Sequence, residues 1–150
     1  MKYIIGIGNY SMYDDSLGIR LIEYLEENNL VDGFKAIDLS GNALNIFSYL
    51  SESTDKIIIV DTARLDMEPG EYRFFSHENV KTLKALSGIT THEGDMVKVL
   101  ALAGETGYHI PEIIFMGVEP KEIKSEVGLS EILESRLPEY GQVLLREIML

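Results

Sequence analysis

Residues 56–61, Lys-Ile-Ile-Ile-Val-Asp, form the clearest strand in the chain. The four consecutive β-branched residues favour an extended backbone, and the uninterrupted apolar run predicts a strand that is covered on both faces. We therefore expect this strand at the centre of a sheet. Asp61 ends the run, where an ionised carboxylate needs either a partner or a water-filled cleft. Asp61 is thus the first candidate for a functional residue.

Shorter apolar runs flank this strand and alternate with amphipathic segments. Further strands are predicted at residues 3–8, 34–39, 72–75 and 113–118, of which 72–75 is a short edge strand. Helices are predicted at residues 15–30, 42–50 and 92–103 and from Ser130 to the C-terminus, with a bend or break at Pro138 and Gly141. Asp14 or Asp15 is expected to cap the first helix. The alternation is typical of an α/β layered fold with a largely parallel sheet.

Length and composition narrow the class of protein. The chain has 150 residues, close to the size of one domain, and we interpret residues 1–150 as a single domain. Its net charge of −12 argues against binding to nucleic acid or to an anionic membrane surface. No apolar run is long enough to span a membrane and no signal pattern begins the chain, so we expect a soluble cytoplasmic protein.

Candidate site residues follow from the rule that ligands bind open α/β sheets at the carboxyl ends of the strands. Asp15 lies in the loop after the first strand, Asp61 ends the central strand, and His92 begins a helix after a long loop. Asp38 ends the second strand and is expected at the same edge. Because the chain has no cysteine, any metal must be bound by oxygen or imidazole ligands. Two carboxylates and one imidazole suit nickel, zinc, manganese or iron and leave a position for water or substrate.

Two other interpretations of these residues are weaker. Residues 6–8, Gly-Ile-Gly, resemble the start of a dinucleotide-binding fingerprint, but Ser11 stands where the third glycine is needed. A phospho-accepting signalling domain would have its acidic pair directly after the first strand, whereas Asp14 lies six residues beyond Gly8. A serine nucleophile in a Gly-x-Ser-x-Gly turn is absent from the sequence. The metal site remains the favoured hypothesis.

The ordered set of motifs resembles the nickel–iron hydrogenase maturation proteases. These endopeptidases remove a C-terminal extension from the precursor of the hydrogenase large subunit. The resemblance extends from residue 3 to about residue 148, and its order and spacing are specific. It is carried by residues 6–9 (Gly-Ile-Gly-Asn), the Asp14-Asp15 pair with Gly18, residues 57–61, Thr91-His92, residues 115–120 (Phe-Met-Gly-Val-Glu-Pro) and residues 127–130 (Val-Gly-Leu-Ser).

The resemblance implies both a fold and a site. The implied fold is a three-layer αβα sandwich, phosphorylase/hydrolase-like, with a mixed, mostly parallel five-stranded sheet that contains one antiparallel strand. The implied site is a catalytic and metal-binding triad of Asp15, Asp61 and His92. Nickel would be supplied by the large-subunit precursor, which holds it with its own cysteine thiolates, and another divalent metal such as zinc or cadmium could bind in its place. A monomer is sufficient for this task.

Two departures from the family pattern affect these implications. Asp15 stands where other members carry Glu, which shortens the side chain by one methylene and moves the ligand oxygen by roughly 1.5 Å, one bond length. Residues 38–42, Asp-Leu-Ser-Gly-Asn, lack the glycine pair that often follows the corresponding aspartate. Asp38 is therefore assigned only to substrate binding. The alternative function from another class is a non-catalytic α/β module that binds a metal or a partner.

Overall fold

The computed structural model describes residues 1–40, 42–77 and 91–150, and of residues 91–95 it describes the backbone alone. The strands are β1 (Lys2–Gly6), β2 (Lys35–Asp38), β3 (Lys56–Thr62), β4 (Tyr72–Ser76) and β5 (Glu112–Val118). The α-helices are α1 (Leu17–Glu27), α2 (Thr91–Glu105), α3 (Glu131–Ser135) and α4 (Leu137–Ile148). Two segments, Tyr13–Ser16 and Ala43–Tyr49, are 3-10 helices.

The five strands form one mixed sheet in the order β2-β1-β3-β5-β4. Strand β1 pairs in parallel with β2 and β3, and β3 pairs in parallel with β5, whereas β4 runs antiparallel to β5. Every residue of β3 is buried. The predicted central strand, the predicted edge strand and the mixed, mostly parallel five-stranded sheet of an α/β fold are confirmed.

The two faces of the sheet are covered by different elements. Side chains of successive strand residues point to opposite faces, so Ile57 and Ile59 lie in one core and Ile58 and Val60 in the other. The first core is closed by α2 and by the 3-10 helix Ala43–Tyr49. The second is closed by α1, α3 and α4. This arrangement explains why β3 is apolar at consecutive positions and shows the three predicted layers.

The helix predicted at residues 42–50 is a 3-10 helix over Ala43–Tyr49. Asn42 caps its start, since its Oδ1 accepts a hydrogen bond from the N–H of Leu44 at 3.2 Å. Within the segment only Ile46 is fully buried. Ala43, Phe47 and Tyr49 are only partly buried against the same core. A segment of seven residues also gains little from its own α-helical hydrogen bonds, so neither effect imposes the α-helical geometry.

The C-terminal helix breaks at Arg136, and Pro138 lies in the first turn of the next helix, where its missing N–H costs nothing. The expectation that Gly141 also interrupts the helix is wrong, because α4 continues through it. A Cβ atom at Gly141 would lie 2.9 Å from Cε1 of Tyr24 in α1. The glycine therefore serves the close packing of α4 against α1.

Two lysines at the amino edge of the sheet hold the end of α4. Lys2 and Lys56 are register partners on β1 and β3. Nζ of Lys2 donates to the carbonyl of Ile148 at 3.0 Å, and Nζ of Lys56 donates to the carbonyl of Glu147 at 2.5 Å. The last carbonyls of a helix carry partial negative charge, so both cations stabilise this end. Among the described residues, no helix is long and apolar enough to cross a membrane.

Replacing Lys56 with methionine is expected to lower the free energy of unfolding by about 2 kcal/mol, because the apolar stem is kept and the charge-assisted hydrogen bond is lost. Urea denaturation measures the change. The matched control is Lys35→Met on the exposed edge strand β2, which is expected to change stability by less than about 0.5 kcal/mol. Equal losses in the two variants would contradict the role given to Lys56.

Candidate functional site

Asp61 lies on β3 at the carboxyl edge of the sheet, next to its last residue, Thr62. It is 1% exposed and is the register partner of Gly117 on β5. Its Oδ1 accepts a hydrogen bond from the main-chain N–H of Thr62 at 2.8 Å. The carboxylate is thus buried at the end of the central strand, as the sequence predicts, and is oriented by the strand that carries it.

Asp15 reaches the same place from the segment that joins β1 to α1. It lies in the 3-10 helix Tyr13–Ser16 and is 8% exposed. Its Oδ1 accepts a hydrogen bond from the Thr62 hydroxyl at 3.3 Å. The structure therefore brings Asp15 and Asp61 into contact with one shared residue, although the two lie far apart in sequence.

Neither Asp14 nor Asp15 caps α1, so this prediction is wrong. The residue at the N-cap is Ser16, whose side chain makes no capping bond and donates instead to the carbonyl of Tyr13 at 2.6 Å. The 3-10 turn that precedes α1 takes both aspartates away from the cap position. Their carboxylates make their contacts with other segments of the chain.

Gly8 makes the approach of Asp15 possible. Its φ is 145°, in the region that favours glycine, and a Cβ atom there would overlap the carbonyl oxygen of Asp15. The same Cβ would lie 3.7 Å from Oδ1 of Asp61. The main chain of Asp15 can therefore lie beside Asp61 only if residue 8 lacks a side chain. Gly8 therefore serves a close approach of two backbones.

Asp14 is fully buried and has a different task from its neighbour. Its Oδ2 accepts hydrogen bonds from the N–H groups of Lys121 and Glu122 at 2.9 and 3.1 Å, and its Oδ1 accepts one from the N–H of Ser130 at 2.7 Å. One carboxylate thus ties the loop after β5 and the start of α3 to the segment that carries Asp15. Sequence reasoning missed this role, because adjacent aspartates give no signal that separates them.

A further buried carboxylate, that of Glu119, shapes the loop after β3. Glu119 follows β5, and its Oε1 accepts hydrogen bonds from the N–H groups of Leu65 and Met67 at 2.7 and 3.1 Å. The carbonyl of Gly70, at the end of this loop, accepts a bond from the Tyr140 hydroxyl at 2.5 Å. Burial raises the pKa of Tyr140 to about 12, so the phenol stays protonated as a donor. These contacts fix the loop that leaves the site.

Asp38 lies at the same edge but at the surface. The register places it opposite Gly6, which in turn is opposite Val60 on β3. Two strand spacings put it about 10 Å from the end of β3. Its Oδ1 accepts hydrogen bonds from the N–H and the hydroxyl of Ser40 at 2.8 and 2.6 Å. The position at the carboxyl edge is as expected, and substrate binding by Asp38 stays a prediction.

His92 is the second residue of α2, so its backbone begins a helix as predicted. Its side chain lies outside the described residues. Among the side chains that the structure does describe, no three from His, Cys, Asp and Glu gather closely enough to bind a metal ion. Of the predicted triad, the structure describes the side chains of Asp15 and Asp61, which both contact Thr62. The contribution of His92 stays a prediction.

Comparison with known proteins places this geometry in context. Residues 19–147 match a family model described as hydrogenase maturation protease. The match includes Asp61 and His92, whereas Asp15 precedes it.

The chain is also similar in sequence to named proteins of hydrogenase formation and maturation. The chain is 27% identical over 126 residues to the hydrogenase expression/formation protein HupM of Azotobacter chroococcum mcd 1; this alignment covers 83% of the chain but only 60% of that relative. It is 27% identical over 144 residues to the hydrogenase 2 maturation protease of Escherichia coli (strain K12), covering 94% of the chain and 87% of the relative. The solved structure of the hydrogenase maturating endopeptidase HybD from E. coli superimposes on this chain with a TM-score of 0.84. The superposition covers 99% of this chain and 91% of the other at 22% sequence identity, and it shows that the two proteins share a fold.

Replacing Asp14 with asparagine is expected to lower the free energy of unfolding by about 2–3 kcal/mol, since the amide cannot accept three main-chain N–H bonds and its NH₂ group faces donors. Denaturation in urea provides the measurement. Asp38→Asn is the matched control, because the exposed residue keeps an oxygen for Ser40 and its stability should change by less than about 0.5 kcal/mol. An Asp14 variant as stable as the native chain would show that these bonds contribute nothing.

Proposed function

Because the chain belongs to the hydrogenase maturation protease family, we propose that it is an endopeptidase that removes the C-terminal extension of a hydrogenase large-subunit precursor. The observation that carries the proposal is the contact of two buried carboxylates, Asp15 and Asp61, with one residue at the carboxyl edge of the sheet. Buried carboxylates in such a position commonly mark functional sites. The family match over residues 19–147 supports hydrolysis of a peptide bond as the reaction.

The proposed site receives nickel as part of its substrate. The precursor holds the ion with its own thiolates, and Asp15, Asp61 and His92 contact it when the precursor docks. Carboxylates and imidazole suit such an ion. Main-chain and hydroxyl hydrogen bonds already orient the two described carboxylates, which fits this role. A divalent ion at this place polarises a carbonyl or lowers the pKa of a bound water, which assists hydrolysis of a peptide bond.

The chain's own groups then have distinct tasks. Asp61 and Asp15 supply negative charge next to the ion and fix its place relative to the sheet edge. The exposed Asp38, about 10 Å away along that edge, is available to contact the precursor beyond the ion. The loop held by Glu119 follows β3 directly after Asp61 and Thr62, so it is available to contact the precursor next to the ion. Recognition of nickel and cleavage are thereby coupled in one docking event.

The purified protein mixed with nickel-loaded precursor is expected to shorten the precursor by a C-terminal peptide, which mass spectrometry detects. Asp61→Asn is expected to lower the cleavage rate by about 100-fold or more, because it removes a charge next to the ion without changing the size of the side chain. Asp32→Asn, an exposed aspartate before β2 at the opposite edge, is the matched control and should cleave at the native rate.

Each arm of this experiment has its own consequence. A precursor that stays intact with folded native protein would contradict the protease and favour the non-catalytic module. A precursor without nickel should also stay intact. If it is cut as fast as the loaded one, the protease stands and recognition of nickel is wrong. Full activity of the Asp61 variant would show that this carboxylate is misassigned.

A further inference from the structure

Strand β2 is an edge of the sheet, so it has a neighbouring strand on one side only. The N–H of Leu39, which follows β2, donates to the carbonyl of Gly6 on β1 at 3.0 Å. Because bonding groups alternate along a strand, the main chain of Ile37 also faces β1, whereas the N–H and carbonyl groups of Ala36 and Asp38 point outward. In the part of the chain that the structure describes, these outward main-chain groups make no hydrogen bond with another residue. The edge therefore offers two donors and two acceptors to an added strand.

A groove of about 460 Å³ runs along the same edge. This volume lies within the range of ligand-binding clefts, about 300–1,000 Å³. Ala36 and Ile37 both line the groove, although successive side chains of a strand point to opposite faces of the sheet. The groove therefore follows the outer edge of β2 and not one face. Val31 adds apolar surface to its lining, and the exposed Glu26 and Lys35 add charges of both signs.

We infer that β2 binds the C-terminal extension of the precursor as an added antiparallel strand. This inference rests on the proposed function, which supplies the precursor as the partner. Extended peptides commonly bind exposed sheet edges in this way, because the main chain provides the hydrogen bonds and a groove contacts alternate side chains. The direction follows from the topology. The extension leaves the site at the carboxyl edge of the sheet and runs along β2 towards the amino edge, opposite to the direction of β2.

The open edge is continuous with the candidate site. Asp38, the last residue of β2, lies at the same carboxyl edge as Asp61, and two strand spacings, about 10 Å, separate β2 from β3. An added strand lies one spacing further out, about 15 Å from β3. About four or five extended residues span that distance. We therefore expect pairing with β2 to begin at about the fifth residue after the cleaved bond.

A second copy of this chain is a poorer occupant of the edge than the extension. Each copy carries a net charge of −12, so two copies repel one another. Strand β2 has only four residues, and pairing two such strands buries little area compared with the roughly 1,600 Å² of a stable interface. The extension does not need a large area of its own. Once the precursor has docked at the site, the extension binds the edge intramolecularly, so weak pairing is sufficient.

Amide hydrogen exchange, followed by NMR, measures occupation of the edge residue by residue. The probe is a synthetic peptide with the sequence of the extension, added to the native protein at millimolar concentration. The N–H groups of Ala36 and Asp38 are expected to exchange fast without peptide and about tenfold more slowly when about nine-tenths of the protein is occupied. The N–H of Ile37, which is bonded to β1 in both states, is the internal control and should change much less.

Two results of this measurement would overturn the inference. The first is unchanged exchange at Ala36 and Asp38 in the presence of the peptide. The second is protection of these N–H groups without peptide that grows with protein concentration, which would assign the edge to a second copy of the chain.

N-methylation of the peptide tests whether it binds as a strand. In an antiparallel pair, only alternate N–H groups of the added strand face its partner. Moving a single N-methyl group along the peptide is therefore expected to abolish the protection of β2 at every second position and to leave it largely unchanged at the positions between. Protection that does not alternate with the position of the methyl group would show that the peptide is not paired with β2, and would overturn the inference without any change to the protein.

Cleavage kinetics connect the edge with the proposed reaction. Ala36→Pro removes an outward N–H, and proline is tolerated in an edge strand where its nitrogen faces solvent. KM for the nickel-loaded precursor is expected to rise about tenfold while kcat stays within about twofold. Asp32→Pro, at an exposed position before β2, is the matched control and should keep the native KM. If the Ala36 variant does not fold, the N-methylated peptides decide.

The outcomes separate this inference from the proposed function. Native protein that cleaves, together with an unchanged KM in the Ala36 variant or an equal rise in the Asp32 variant, would overturn docking at β2 and leave the protease standing. Native protein that does not cleave contradicts the proposed function instead. Protection of Ala36 and Asp38 by the peptide then still decides whether the edge binds the extension.

Discussion

The site depends on a direct contact between backbones at the start of the chain. A Cβ atom at Gly6 would overlap the carbonyl of Gly18, one at Gly18 would overlap the carbonyls of Ile7 and Val60, and one at Gly8 would overlap that of Asp15. Three glycines therefore let the segment from the 3-10 helix to the start of α1 lie on β1 and β3 without intervening side chains. Only at this separation can an aspartate reach the hydroxyl at the end of β3. Larger residues at these positions would push the segment outward and separate the two carboxylates.

The strands were predictable because their signal is local. Residues 56–61 are apolar at consecutive positions, and the structure shows both faces of β3 packed against helices. Asp61 was predictable for the same reason, since a charge that ends such a run is conspicuous. The 3-10 helix Ala43–Tyr49 was not, because an apolar pattern near helical spacing does not distinguish the tighter helix from the α-helix. Gly141 was misjudged because its cause lies on another element, the ring of Tyr24.

Adjacent aspartates show where sequence reasoning ends. Asp14 and Asp15 have the same chemistry and nearly the same neighbours, yet one binds three main-chain N–H groups from residues more than a hundred positions away and the other meets Thr62. These contacts arise only once the loop after β5 has folded over the first 3-10 helix.

The absence of cysteine first limits the ligands that this chain can offer to oxygen and nitrogen, and it also bears on the proposed function. Under the proposed function, a protein that offers only oxygen and nitrogen ligands can contact nickel on precursor thiolates and then release it, because softer thiolates hold such an ion more strongly.

The amino end of β3 contributes to stability, whereas its carboxyl end carries the candidate site. At the amino end, Lys56 donates to the last turn of α4, so its charge is used within the fold. At the carboxyl end, Thr62 contacts both Asp61 and Asp15. Under the proposed function, the charge of these two carboxylates is used on the substrate. Six residue steps, about 20 Å, separate these groups along a buried strand. Changes at sites this far apart without shared partners act additively. Loss of the Lys56 hydrogen bond at the amino end should therefore lower the stability of the fold without altering how the two carboxylates are held at the other end.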